Sequence, residues 1–162
     1  MRRDRFLMGI LIGIAVLVAL SLAVYLTRRS NWNYGPENTP EGVTRNYVAA
    51  LQRGDYGRAL TYLSDFENKP DLSQFTRPFT DYQNRDISLT GVEVTSTSIA
   101  EDGKSALVYL SLLHSGNGPF DQGYRENNSA ELVLEKGGWK IRNMPYPFWN
   151  YEWSSPSPTL KP

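Results

Sequence analysis

His114 is the chain's one histidine, and imidazole is the side chain best suited to proton transfer near neutral pH. It ends a long apolar run and is followed by the small polar residues 115–118. A general base needs a partner group within hydrogen-bond reach, and local spacing places no acidic residue beside this one. We therefore expect His114 to be a residue at the end of a strand, without a catalytic role.

Other residue types that could do chemistry are sparse. The carboxylate pairs Asp65/Glu67 and Glu101/Asp102 fall in predicted loops, where solvated charge is the usual state. The absence of cysteine excludes disulfides and thiolate chemistry, and a single histidine excludes a multi-histidine metal site. No phosphate-binding glycine loop, nucleophile elbow or calcium loop is present. The sequence thus predicts no catalytic residue, no cofactor and no metal, and an enzyme is the less favoured class.

Charge is unevenly distributed along the chain. The formal net charge is zero, but residues 30–162 hold 12 basic and 16 acidic side chains. A mildly acidic domain does not attract the phosphate backbone, so nucleic acid is excluded as a partner.

An uncharged segment near the N-terminus indicates a membrane anchor. Residues 6–27 form a run of 22 without charge. As a helix they would extend about 33 Å, which suffices for a hydrocarbon core of about 30 Å. The alternative is a signal peptide cleaved after the small residues 21–23, but the apolar run is long for one and continues beyond that point. We favour an uncleaved anchor, with the lipid bilayer as its partner.

The expected topology follows from the anchor. Residues 1–5 form a short cytoplasmic tail and 28–38 a linker. Arginines flank the anchor on both sides, so the positive-inside bias is weak. A short tail is easily retained while the long C-terminal part is exported. We expect a single-pass protein of the cell membrane with its C-terminal domain outside the cytoplasm.

Helices come first in this domain. Thr39 and Pro40 are typical of an N-cap and first helical residue, and apolar residues then recur at helical spacing up to Gly54. Asp55 is a second N-cap, which predicts an αα-hairpin. A third helical region over 72–82 contains Pro78, which should kink or divide it.

Strands follow the helices. From Asp86 the apolar period becomes two, with Gly91 as an expected bulge. Residues 105–113 form a long apolar strand that we expect to be buried on both faces, and two shorter strands follow over 130–136 and 139–142. Helices followed by antiparallel strands predict an α+β domain.

Three segments in this order resemble a known superfamily. They are "TPEGVTRNYVAALQRGDYGRALTYLSD", "DGKSALVYLSL" and "LVLEKGGWKIR". Together they resemble the NTF2-like superfamily of cystatin-like rolls, and in particular small bacterial envelope proteins of the DUF4878 type. The resemblance implies two to three helices packed on a curved antiparallel sheet of about four strands, enclosing a cone with a pocket. The resemblance covers about 39–142 and carries no catalytic residues. With an aromatic C-terminal extension the predicted domain spans 39–153, and the remaining residues 154–162 are predicted to be disordered.

The resemblance leaves several functions open. Residues that could line the pocket are Tyr47, Tyr62, Phe79 and Tyr109. The favoured function is a non-catalytic binding or assembly module of the cell envelope. The alternatives are a binder of a small apolar ligand in the cone and, less favoured, a cyclase- or isomerase-type enzyme that uses a carboxylate or His114 inside it.

An aromatic run close to the C-terminus is the other candidate site. The segment 145–153 contains five of the chain's 20 aromatic residues: Tyr146, Phe148, Trp149, Tyr151 and Trp153. These residues could form a lid over the domain's own core, a surface for a protein partner or a second copy, or a belt at the lipid headgroups. Exposed apolar patches of this kind are uncommon on monomers, which favours the lid.

Overall fold

The computed structural model describes residues 5–30, 34–81, 83–116, 118 and 122–153. Within these ranges, the side chains of residues 5–7, 25–30 and 84 are not described. The chain divides into two units, Met1–Tyr34 and Gly35–Pro162. The predicted tail 1–5, the linker and the C-terminal tail 154–162 lie wholly or partly outside the described residues.

The first unit contains one helix, α1, over Arg5–Ser30. All its described side chains, from 8 to 24, are exposed. Taking only the residues described, we find no helix whose length and apolar character meet the requirement for crossing a bilayer.

The second unit confirms the predicted α+β class. Its helices lie on a four-stranded antiparallel sheet in the order β1-β2-β3-β4. In chain order the elements are α2 Pro40–Gln52, α3 Tyr56–Thr61, α4 Leu72–Asp81, α5 Asn84–Leu89, β1 Thr90–Ile99, β2 Ser105–His114, β3 Tyr124–Glu135 and β4 Gly138–Asn143, followed by a 3₁₀ turn at Tyr151–Trp153.

The αα-hairpin forms as its capping residues predict. The hydroxyl of Thr39 accepts the N–H of Gly42, and the carboxylate of Asp55 accepts the N–H of Arg58, each at 3.2 Å. Gly54 between the two helices has φ of +72°, a left-handed conformation that favours glycine. Local sequence therefore sets both ends of this turn.

Two local predictions about the start of the sheet were wrong. Residues 84–89 form α5, so the unit has four helices where two to three were expected. Two apolar residues, Ile87 and Leu89, are too few to distinguish the strand period of two from the helical period of 3.6. Of these two residues, Ile87 is the buried one. The register shift of β1 lies between Val94 and Ser96 instead of at Gly91.

The two faces of β2 differ. Ala106, Val108, Leu110 and Leu112 point toward the helices and are buried. The alternate apolar residues point away from the helices: Leu107, Tyr109 and Leu113 are 38%, 44% and 49% exposed. We call this second side of the sheet the outer face. Burial on both faces was predicted, but among the described residues of this unit the helices cover one face.

Residues 35–38 were predicted as linker, but they lie on the helices of the second unit. The side-chain amide of Asn46 accepts the N–H of Gly35 and donates to its carbonyl, at 2.7 and 3.0 Å. Glu37 Oε1 accepts the Tyr62 hydroxyl and an Arg58 guanidinium N–H, both at 2.7 Å. These two hydrogen bonds, first that from Tyr62, lower the pKa of Glu37. The ordered domain therefore begins before its first helix.

We expect Glu37→Gln to reduce the free energy of unfolding at pH 7 by about 0.5 kcal/mol, since the pair with Arg58 is partly exposed. A lowered folded-state pKa stabilises the fold above the ordinary value of 4.5, and this contribution is lost as the pH falls below it. Urea unfolding at pH 7 and at several lower pH values measures the difference, which should shrink with acidification. Glu67→Gln, at an exposed loop position, is the control. A deficit of Glu37→Gln that grows toward low pH would contradict this account.

Candidate functional site

The space between helices and sheet, where the resemblance implies a pocket, is filled with aromatic side chains. Tyr47 and Phe79 were predicted to line that pocket and are fully buried. Phe75 packs edge-on against both, with ring centroids 6.4 and 5.1 Å apart. The hydroxyl of Tyr47 donates to the carbonyl of Phe148 at 2.7 Å, and burial raises the pKa of Tyr47 well above its ordinary value. Tyr47 is therefore a core residue that holds the C-terminal segment.

The aromatic run divides between the core and the surface. Phe148, Trp149 and Trp153 are buried, while Tyr146 and Tyr151 are 40% and 63% exposed. The Trp153 ring stacks on Phe75 at 5.2 Å and meets Phe79 edge-on at 5.9 Å.

Polar contacts also tie this run to the domain. The side-chain amide of Gln83 donates to the carbonyl of Trp149 at 3.1 Å, and the Tyr146 hydroxyl bonds to the carboxylate of Asp86. The run thus crosses the helical side of the domain and contributes three large side chains to the core.

The other two predicted pocket residues lie elsewhere. Tyr62 is at the end of α3, where its hydroxyl donates to Glu37 and accepts the Nε–H of Arg58 at 2.9 Å. Burial, and then the bond to Glu37, raise the pKa of Tyr62. Tyr109 lies on the outer face, because the alternation of β2 turns Val108 and Leu110 inward instead. Tyr62 is therefore buried with its hydroxyl on Glu37, whereas Tyr109 lies outside the interior.

His114 has an acidic neighbour that local sequence spacing could not indicate. In the β2–β3 register Leu112 faces Glu126 and His114 faces Tyr124, so Glu126 is the diagonal neighbour of His114 on the same face. His114 Nε2 lies 3.6 Å from Glu126 Oε2, and Nδ1 lies 3.1 Å from the Thr90 hydroxyl. The distance of 3.6 Å exceeds that of a hydrogen bond, so direct proton transfer between the two groups would need a closer approach.

The residues around His114 and Glu126 limit the directions from which a substrate could reach this pair. The Tyr124 ring stacks on His114 at 4.4 Å, and the adjoining inward residue Leu112 is fully buried. A substrate could approach the pair from the solvent at the end of the sheet. On the inward side, the described part of the chain places buried side chains such as Leu112 beside it.

The outer face is an exposed surface with apolar side chains from the central strand β2. A groove of about 460 Å³ beside Leu107 is lined in addition by Ser98, Glu131 and Arg142. A second groove beside Tyr109 is lined by Ser96, Asn127 and Ser129, among others. The two grooves thus lie beside two of the three exposed apolar side chains of β2.

Polar residues fix the strands beneath this surface. Arg125 Nη1 donates to the Ser111 hydroxyl at 3.2 Å and to Glu93 Oε2 at 3.4 Å, and so joins β3, β2 and β1. Ser111 is buried although it points outward. The outer face therefore combines apolar area with charges of both signs, as recognition surfaces often do.

Fold and surface together define an α+β domain with a filled interior and an exposed sheet face. No protein-family model and no curated protein matches the chain. Among solved structures, a SEC-C motif containing protein from Rhodopseudomonas palustris is similar, at 15% identity over 67% of this chain and 79% of that one, with a TM-score of 0.48.

Two further solved structures show the same kind of likeness. A candidate NTF2-like transpeptidase from Campylobacter jejuni is 16% identical over 65% of this chain and 99% of that one, at a TM-score of 0.44. A candidate polyketide cyclase from Pseudomonas putida is 18% identical over 70% of this chain and 94% of that one, at a TM-score of 0.40.

Proposed function

We propose that this protein is a single-pass membrane protein whose extracytoplasmic NTF2-like domain is a non-catalytic binding or assembly module of the cell envelope. The 22 uncharged residues of 6–27 support the anchor, and all of them lie within α1. The order of helices followed by an antiparallel meander, with helices on one face, supports the roll.

The observation that carries this proposal is the contrast between the interior and the outer face. Helices and the aromatic run fill the interior of the domain, whereas Leu107, Tyr109 and Leu113 of the central strand β2 remain exposed. The solvated face of an antiparallel sheet is usually polar at these positions. An apolar row there is typical of a surface that a second protein covers.

The interior contacts also weigh against the two alternatives. A ligand in the cone would have to displace Phe148 and Trp149, whose carbonyls are bonded to Tyr47 and Gln83. A cyclase- or isomerase-type enzyme would rely on His114 and Glu126, and substrate would reach that pair only from outside the filled interior. Binding of a partner at the outer face requires no rearrangement of the described residues.

The experiment is photo-crosslinking from the outer face. A photo-reactive residue at Tyr109, in the full-length protein in its native membrane, is expected to give a discrete crosslinked band that mass spectrometry can identify. Ser73, exposed on α4 on the helical side, is the matched control and should give none. Equal, diffuse labelling from both positions would contradict the proposal. Washing the same membranes with alkaline carbonate tests the anchor, because a chain that spans the bilayer stays in the pellet.

A further inference from the structure

Half of β3 is an open edge. β4 pairs only with residues 131–135 of β3, beginning at Asn143 opposite Glu131. In the described part of the chain, no strand pairs with residues 124–130 on that side. The far edge of β4 is covered, since Leu63 forms a bridge to Ile141. The sheet therefore contains a recess about seven residues long beside β4.

This edge is regular and accessible. The β2–β3 register runs from Tyr124 to Val133 without a shift, whereas the edge strand β1 is interrupted at Thr95. Residues 124–128 are all exposed. Bulged edges resist pairing with another strand, while flat edges invite it.

The direction of the free backbone groups can be assigned. The N–H of Ser129 is accepted by its neighbour's side chain, Asn128 Oδ1, at 2.9 Å, so this N–H points away from β2. Since N–H and C=O groups alternate in direction along a strand, those of Arg125 and Asn127 point to the same open side. Arg125 and Asn127 thus present backbone donors and acceptors to an incoming strand, and Ser129 can do so when its N–H exchanges Asn128 Oδ1 for that strand.

We propose that the occupant of this recess is β3 of a second copy, paired antiparallel about a two-fold axis at Asn127, so that two four-stranded sheets become one. The register follows from the geometry. Pairing cannot pass residue 130, because Asn143 takes the place opposite Glu131, and it cannot precede the start of β3 at Tyr124. The midpoint of this window is Asn127.

The strand is complementary to itself in this register. Asn127 faces Asn127 of the second copy, and Arg125 faces Ser129. This gives about six backbone hydrogen bonds once each Ser129 N–H exchanges Asn128 Oδ1 for the facing strand. Glu126 faces Asn128, whose amide already donates to Glu126 Oε1 within one chain at 3.0 Å. No like charges oppose each other, which favours a second copy over an unrelated strand. This pairing does not depend on the proposed partner of the outer face.

Cysteine crosslinking tests the register, because the native chain has no cysteine. Facing residues in such a pair have Cα atoms about 5.5 Å apart, within the range of a disulfide. In the full-length protein in its membrane, Asn127→Cys is expected to convert most of the chain to a disulfide-linked dimer under mild oxidation. Arg125→Cys and Ser129→Cys should each give little dimer alone, whereas the double variant should crosslink like Asn127→Cys.

Two further variants keep the test decisive. Thr95→Cys, on the interrupted edge of β1, should remain monomeric. Asn127→Pro removes one backbone donor, and crosslinking of its Arg125→Cys/Ser129→Cys derivative should fall severalfold while far-UV circular dichroism stays unchanged. Absence of the Asn127→Cys dimer, or equal crosslinking at all positions including Thr95, would overturn the proposal. Absence of the Asn127→Cys dimer would mean that any strand that pairs with this edge of β3 belongs to another protein.

Discussion

Replacing Trp149 with alanine is expected to lower the free energy of unfolding by about 3–5 kcal/mol, which is a large part of a small domain's stability. The indole is almost fully buried, with centroids 6.0 Å from the Phe66 ring and 5.1 Å from that of Trp153. Removing it leaves a cavity among rigid rings that can close only partly. Urea unfolding of the full-length protein in detergent, followed by far-UV circular dichroism, measures the loss.

The control is Tyr151→Ala, two residues further along the same run. Tyr151 is 63% exposed, so its replacement should change stability by no more than about 0.5 kcal/mol. This comparison separates burial from aromatic character, because both residues are large aromatics in the same segment. Equal, small losses for the two variants would mean that the run does not form part of the core.

The second large effect concerns the two faces of β2. Leu110→Ala should cost about 2–5 kcal/mol, because Leu110 is 1% exposed and fills the interior beneath the helices. Leu113→Ala, on the outer face of the same strand, should cost less than about 1 kcal/mol. Urea unfolding monitored by tryptophan fluorescence compares the two, since both variants keep all four tryptophans.

Crosslinking to a partner should respond to the two substitutions in the opposite order from stability. If the outer face is the recognition surface, Leu113→Ala weakens the Tyr109-directed crosslink while the protein stays folded. Leu110→Ala should affect the crosslink only to the extent that it unfolds the domain. A stability loss at Leu113 as large as that at Leu110 would show that the outer face is already covered within one chain.

If the outer face is the recognition surface, stability and recognition depend on different residues of this domain. The aromatic run was a candidate interface because of its composition, but Phe148, Trp149 and Trp153 are buried in the described structure. The exposed apolar residues of β2, Leu107, Tyr109 and Leu113, lie on the opposite side of the sheet. A search for a partner therefore begins at Tyr109, and a search for self-association begins at Asn127.

The sequence alone determined the elements that depend on neighbouring residues. Thr39, Gly54 and Asp55 define the ends of the αα-hairpin, because caps and left-handed glycines act within a few residues. Alternation and turn residues in the same way predicted strands at 105–113, 130–136 and 139–142. All three form, but β3 begins at Tyr124, six residues earlier than predicted. Interactions between residues close together in the sequence were therefore sufficient to predict the α+β class.

Tertiary structure decided what depends on distant residues. The side of β2 that holds Tyr109 is the outer one because the helices cover Leu110 and its inward neighbours, and periodicity does not indicate which face a core will cover. Glu126 is brought beside His114 by strand pairing across the loop between β2 and β3. The open edge of β3 exists because β4 ends at Asn143 and the chain then crosses to the helical side. Each of these features is set by long-range packing, whose free energy overrides local preference and is absent from any short window of sequence.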